Sequence, residues 1–220
     1  MPKKQADDVF VAVIGDIRGS RELADRSEAQ REFKQVVNSL NEELPDSSIA
    51  SQFTVTTGDE FQALLREATD AVEAVVSVSD RFHPAQLRFG IGVGALDTQL
   101  NPTQAIGMDG PCFHRAREAI EAAEDAGAWV RVDGWSSELV AHVNAMFDLV
   151  QCVREDWTDR QAQFARALKA EGTQKRVVER FDVSKSTVSE SLSSGHVQEV
   201  REAEASLGNQ LQAALEEERA

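Results

Sequence analysis

Residues 9–20 read VFVAVIGDIRGS. Residues 9–14 are apolar without interruption, which marks a strand covered on both faces and therefore central in its sheet. The run stops at Gly15-Asp16 and passes into Ile17-Arg18-Gly19-Ser20. Such a strand delivers one carboxylate, Asp16, to a sheet edge and follows it with a tight loop. A glycine-bearing turn entering a helix exposes backbone amides as an anion nest. A second acidic pair, Asp59-Glu60, sits in TTGDEFQALL, where Gly58-Asp59 turns a hairpin between expected strands 49–57 and 61–65.

With that hairpin beside the first strand, Asp16 and Asp59 point into one edge of the sheet. Phosphoryl and nucleotidyl transfer uses converging carboxylates of this kind to clamp metal ions. Mg²⁺ commonly takes one or two protein carboxylates and fills the rest of its shell with phosphate oxygens. Asp16 and Asp59 are therefore the candidate metal ligands, and Ile17, Arg18, Gly19 and Ser20 the candidate phosphate loop. Glu60 alternates to the other face of the hairpin and reads as an exposed or supporting group.

Working outward, apolar residues at helical spacing predict helices over 27–44, 68–82, 113–124 and 135–150. Strands are expected at 87–96 and 129–132. This order predicts an α+β sandwich of split βαβ type, with helices on one face of a mainly antiparallel sheet. Gly90, Gly92 and Gly94 in LRFGIGVGAL mimic a dinucleotide fingerprint. They lie inside a strand rather than at a strand-to-helix turn, so they point instead to close backbone approach.

GDIRGS resembles the metal-binding stretch of class III nucleotidyl cyclases, and TTGDEFQALL resembles the hairpin of those enzymes and of GGDEF diguanylate cyclases. The combination IGDIRGSREL, GDEFQ and GPCFHRAREAIEAA most resembles the SatD family. The cyclase likeness implies a ferredoxin-like, palm-type sandwich binding Mg²⁺ and a nucleotide. It carries the metal-binding aspartates onto Asp16 and Asp59, a coordinating carbonyl onto Ile17, and the triphosphate loop onto Gly19 and Ser20. The cyclase asparagine and arginine fall on His114 and Glu118, which depart from the pattern, with Arg117 one place off. Arg115, Arg117 and His114 are the remaining candidates for catalysis.

Residues 173–195 read TQKRVVERFDVSKSTVSESLSSG. Helices over 174–181 and 185–193, with Val183 between them, resemble a helix-turn-helix DNA-binding unit. A preceding helix over 157–170 completes a three-helix core. In such a unit the second helix enters the major groove. Ser184, Lys185, Ser186, Thr187 and Ser189 are the expected base-reading set, and Lys175 and Arg176 the expected phosphate contacts. The tail, 196–220, forms a helix whose apolar stripe packs on this unit or pairs two chains. The expected division is a sheet domain over 1–152 and an all-α domain over 153–220.

The 220 residues carry a net charge of −15, with 17 Arg and 6 Lys. This acid-rich, Lys-poor balance is a lever of salt-adapted proteins. Residues 157–195 escape it with a net +2, as a nucleic-acid-facing segment should. Cys112 and Cys152 are too few for a disulfide or zinc framework and read as reduced thiols. MPKKQADD has no signal-type apolar stretch, and no run approaches the roughly 20 residues that cross a bilayer. These features predict a cytoplasmic homodimer in which a Mg²⁺-nucleotide sensor domain is joined to a DNA-binding domain. The alternatives are an active nucleotidyl cyclase or transferase, and a degenerate domain serving dimerisation.

 Expected partners are therefore DNA, a nucleoside triphosphate or other nucleotide with Mg²⁺, and a second copy of the chain, with no membrane.

Overall fold

The computed structural model describes residues 9–56 and 58–220. The N-terminal reading of MPKKQADD and the end of the strand expected to reach residue 57 lie outside the described residues. The opening apolar run forms β1 (Val9–Ile17), the middle strand of a five-stranded sheet. The helix α1 (Arg26–Glu43) leads to β2 (Ile49–Val55), and a hairpin returns as β3 (Glu60–Leu65). The helix α2 (Ala68–Arg81) then leads to β4 (Leu87–Ala95). The helix α3 (Pro111–Ala126) leads to β5 (Val130–Asp133), and α4 (Ser137–Glu155) follows. The sheet order is β2-β3-β1-β4-β5, antiparallel except for the β4–β5 pair.

Local chemistry accounts for the helix starts. Asp25 caps α1 by accepting from the Glu28 amide at 2.9 Å, and Ser136 caps α4 through the Leu139 amide. Each cap satisfies a backbone donor that the helix itself leaves unpaired.

Helices cover both faces of the sheet, not one. Val11, Val13 and Ile17 pack with α1, α2 and α4 in the larger core. Phe10, Ala12 and Ile14 pack with Cys112, Phe113, Ala116 and Ile120 of α3 on the opposite side. The reason is in β1 itself, where both alternating sets of side chains are apolar and both need cover. Gly90, Gly92 and Gly94 provide the seat for α3. A Cβ at Gly90 or Gly92 would collide with the backbone of α3 around Ala116.

Four further helices complete the chain: α5 (Asp159–Glu171), α6 (Gln174–Phe181), α7 (Lys185–Ser194) and α8 (Val197–Arg219). Thr158 and Gln161 form a reciprocal capping box at the start of α5. Phe164, Val177, Val188, Leu192 and Val197 make a small separate core. The stripe of α8 divides: Val197 packs on the small core, as expected, and the rest goes elsewhere. Val200, Leu207, Leu211 and Leu215 are buried in the larger core, with α8 lying against α2 and α4. The stripe marked a buried face but carried no record of its partner. The division expected at 152/153 falls inside α4, which continues to Glu155.

Among the described residues, no helix is long and apolar enough to cross a membrane.

Candidate functional site

Strand register decides what meets Asp16. Its Cα partners are Glu60 on β3 and Arg88 on β4. Arg88 forks onto Asp16, with Nε to Oδ1 at 2.7 Å and Nη2 to Oδ2 at 2.8 Å. Its third nitrogen meets Glu124 of α3 at 2.8 Å. Beside this pair, Arg117 of α3 forks onto Glu60 at 2.6 and 2.9 Å. Two like charges on neighbouring strands are thus each held by a separate guanidinium, the geometry that suits bidentate carboxylate recognition.

Burial raises the Asp16 carboxyl above its ordinary 3.8, against the opposing pull of Arg88 and with a further rise from Glu60 and Glu124. Burial works against the charge on Arg88, but its bonds to Asp16 and Glu124 outweigh it and its pKa goes up. The Glu60 bond, partly offset by burial, likewise raises Arg117.

Asp59 lies at the same end of the sheet. Its carbonyl accepts from the Ile17 amide at 3.0 Å. Its carboxylate accepts from the Ser20 hydroxyl at 2.5 Å and from Arg26 at 3.3 Å. The Arg18 amide donates to the Gln86 carbonyl at 2.9 Å. Two amides of the expected phosphate loop, those of Ile17 and Arg18, are therefore committed to backbone partners. Gly19 adopts φ 61, a left-handed turn that glycine accepts without a Cβ clash.

The cross-strand neighbour of Asp16 is Glu60, whereas the Asp59 side chain engages the start of α1. Arg88 engages both oxygens of Asp16, so a Mg²⁺ ion at this carboxylate would have to compete with the guanidinium. Among the described residues, no group of three or more His, Cys, Asp or Glu is gathered to hold a metal. The three catalytic candidates also diverge. Arg115 donates to the Val93 carbonyl at 2.7 Å, Arg117 holds Glu60, and His114 meets Asp109 at 2.6 Å on an exposed surface. Glu118 is exposed. Cys112 is buried and its thiol is pushed up to about 12 by that burial, while Cys152 is exposed; both are free.

A second candidate surface is carried by α6 and α7. Val188 and Leu192 of α7 face inward, and Lys185, Ser186 and Ser189 are exposed. Ser184 caps α7 through the Thr187 amide at 3.1 Å, and its hydroxyl lies 2.8 Å from those of Ser186 and Thr187. Thr187 is half-buried. Lys175 and Arg176 are exposed at the start of α6. Asp182 sits between the helices at φ 49, a left-handed conformation that Asp tolerates better than most residues.

Sequence reasoning missed Arg88 and Glu124. One signal was available for Arg88: it shares strand parity with Gly90, Gly92 and Gly94, so it belongs to the face on which α3 sits.

A comparison with curated proteins finds no match. A family model described as the SatD family matches residues 10–206, spanning the sheet and the helices as far as the first half of α8. The chain belongs to the SatD family.

Proposed function

We propose that this SatD-family chain is a DNA-binding regulator in which α6 and α7 form a helix-turn-helix. The single observation that carries this reading is the two-sided character of α7. Val188 and Leu192 anchor it in the small core, while Lys185, Ser186 and Ser189 stand exposed along its outer side. Small hydroxyls and a lysine at the start of such a helix can donate to base edges and phosphates. Lys175 and Arg176 supply further cations at the start of α6.

The sheet domain acts as the sensor in this reading. Its strand order, with β3 between β1 and β2 and β1 between β3 and β4, supports a ferredoxin-like or palm-type sandwich. Nucleotide binding at Asp16, Asp59 and the Ile17–Ser20 loop is supported by their gathering at one end of the sheet. A Mg²⁺-nucleotide there requires Arg88 to release Asp16. The cyclase alternative lacks a matching arginine, since Glu118 occupies the aligned position and Arg115 is held by Val93.

The test is selection of bound duplexes from a random-sequence DNA pool by the full-length protein. Enrichment of a sequence motif is expected, with loss of that motif in Lys185→Ala and Ser186→Ala. Absence of enrichment, or enrichment unaffected by both substitutions, would overturn the DNA reading. Titration calorimetry with each nucleoside triphosphate and Mg²⁺ tests the sensor. Equal heats for wild type, Asp16→Ala and Asp59→Ala would remove the nucleotide site.

A further inference from the structure

Arg18 leaves the GDIRGS loop toward a cavity of about 280 Å³ that lies between β4, α2 and α4. This is at the small end of the roughly 300–1,000 Å³ typical of ligand pockets. Phe82, Leu87 and Trp129 supply apolar walls and are themselves largely buried. Arg18 has no acidic partner among the described residues, although the chain carries 38 acids. The other lining guanidinium, Arg154, is already satisfied by Asp80 and by Glu204 at 2.6 Å. Glu155 also lines the cavity, is exposed, and accepts from Gln151 at 2.8 Å. A cation with no acidic partner among the described residues, set over apolar walls, selects a ligand with one anionic group and an apolar body. The nearby Glu155 carboxylate disfavours ligands of higher negative charge.

The same cavity is connected to α7. The Arg154 guanidinium lies 4.9 Å from the ring centre of Trp129 and 5.3 Å from that of Trp157. The Trp157 indole N–H donates to the Gly195 carbonyl at 2.6 Å, just beyond the end of α7. We infer that this cavity binds a small organic carboxylate with an apolar body, and that occupancy reaches α7 through the Trp129–Arg154–Trp157 stack. As an effector site it rests on the DNA-binding reading; as a ligand site it does not.

The probes are benzoate, benzyl alcohol and benzylammonium, followed by saturation-transfer NMR and by titration of the tryptophan indole signals. Benzoate is expected to bind about tenfold more tightly than the alcohol, the value of one charge-assisted hydrogen bond. Arg18→Gln should remove that preference and Arg18→Lys should restore part of it. Equal binding of benzoate and benzyl alcohol to wild type, no binding of benzoate, or a preference unchanged in Arg18→Gln overturns the site. Benzoate should also slow amide exchange over residues 185–195 in wild type and not in Trp157→Phe. Slowing that persists in Trp157→Phe, or is absent in wild type, overturns the route to α7. No DNA is present in either measurement, so failure of the DNA selection leaves both results interpretable.

Discussion

At the scale of single residues, strand register sets Asp16 opposite Arg88, which donates to both of its oxygens. A long apolar run ending in Gly-Asp announces a strand-end carboxylate. Which residue stands opposite depends on register, and register is set by packing on both faces of β1 rather than by any local motif. Arg88 supplies both bonds to Asp16 from a partly buried position, with 16% of its side chain exposed. Arg88→Leu is expected to lower stability by about 2 kcal/mol, because it strands a carboxylate beside Glu60 and Glu124; urea unfolding at neutral pH measures it. The raised Asp16 carboxyl has its own signature. A folded pKa above the unfolded value gives stability that is present below the unfolded pKa and is lost as pH rises through the folded one. Wild type should therefore lose stability relative to Asp16→Asn as pH rises through that window. A gain in wild-type stability relative to Asp16→Asn as pH rises would contradict the assignment.

At the scale of elements, the glycine-rich strand announces a close approach, but the expectation of helices on one face leaves no place for α3, which covers the other. Three glycines at alternate positions reveal a flat surface without saying what lies on it. Gly92→Ala should cost about 3 kcal/mol, the upper part of the usual overpacking range, since the added methyl meets helix backbone rather than a movable side chain. A fall in melting temperature is the measurement, and a neutral result would mean that α3 can move aside. The docking of α8 was illegible for a similar reason. Its apolar stripe is equally suited to a partner chain, and what fixes α8 on α2 and α4 is a set of long-range meetings, Arg154 with Asp80 and Glu204 and Gln212 with Glu67 and the Ala68 amide. Burial raises the Glu204 carboxyl against the pull of Arg154. Arg154→Met leaves Glu204 without its cation and Asp80 with only Lys169 at 3.9 Å, and should destabilise by about 3 kcal/mol, with faster amide exchange along α8.

For the whole molecule, the governing fact is a net charge of −15 set against a short segment of +2. Self-repulsion at low ionic strength opposes the compact state, and added salt screens it. The same acidity limits how the chain can hold DNA. Lys175, Arg176 and Lys185 are the three exposed cations assigned to the helix-turn-helix surface. Each phosphate neutralised contributes about −0.9 to the slope of log affinity against log salt. Three contacts per chain therefore predict a slope of about −3, shallow beside proteins that neutralise many phosphates. Fluorescence anisotropy with a selected duplex over a salt series measures this, and Lys185→Ala should reduce the slope by about 1. A much steeper slope would place the phosphates on a different surface. A slope unchanged by Lys185→Ala would remove α7 from the interface. A shallow slope is also what lets a strongly acidic chain bind at high salt, because recognition then leans on hydroxyl and base-edge contacts from α7 that counterions do not compete away.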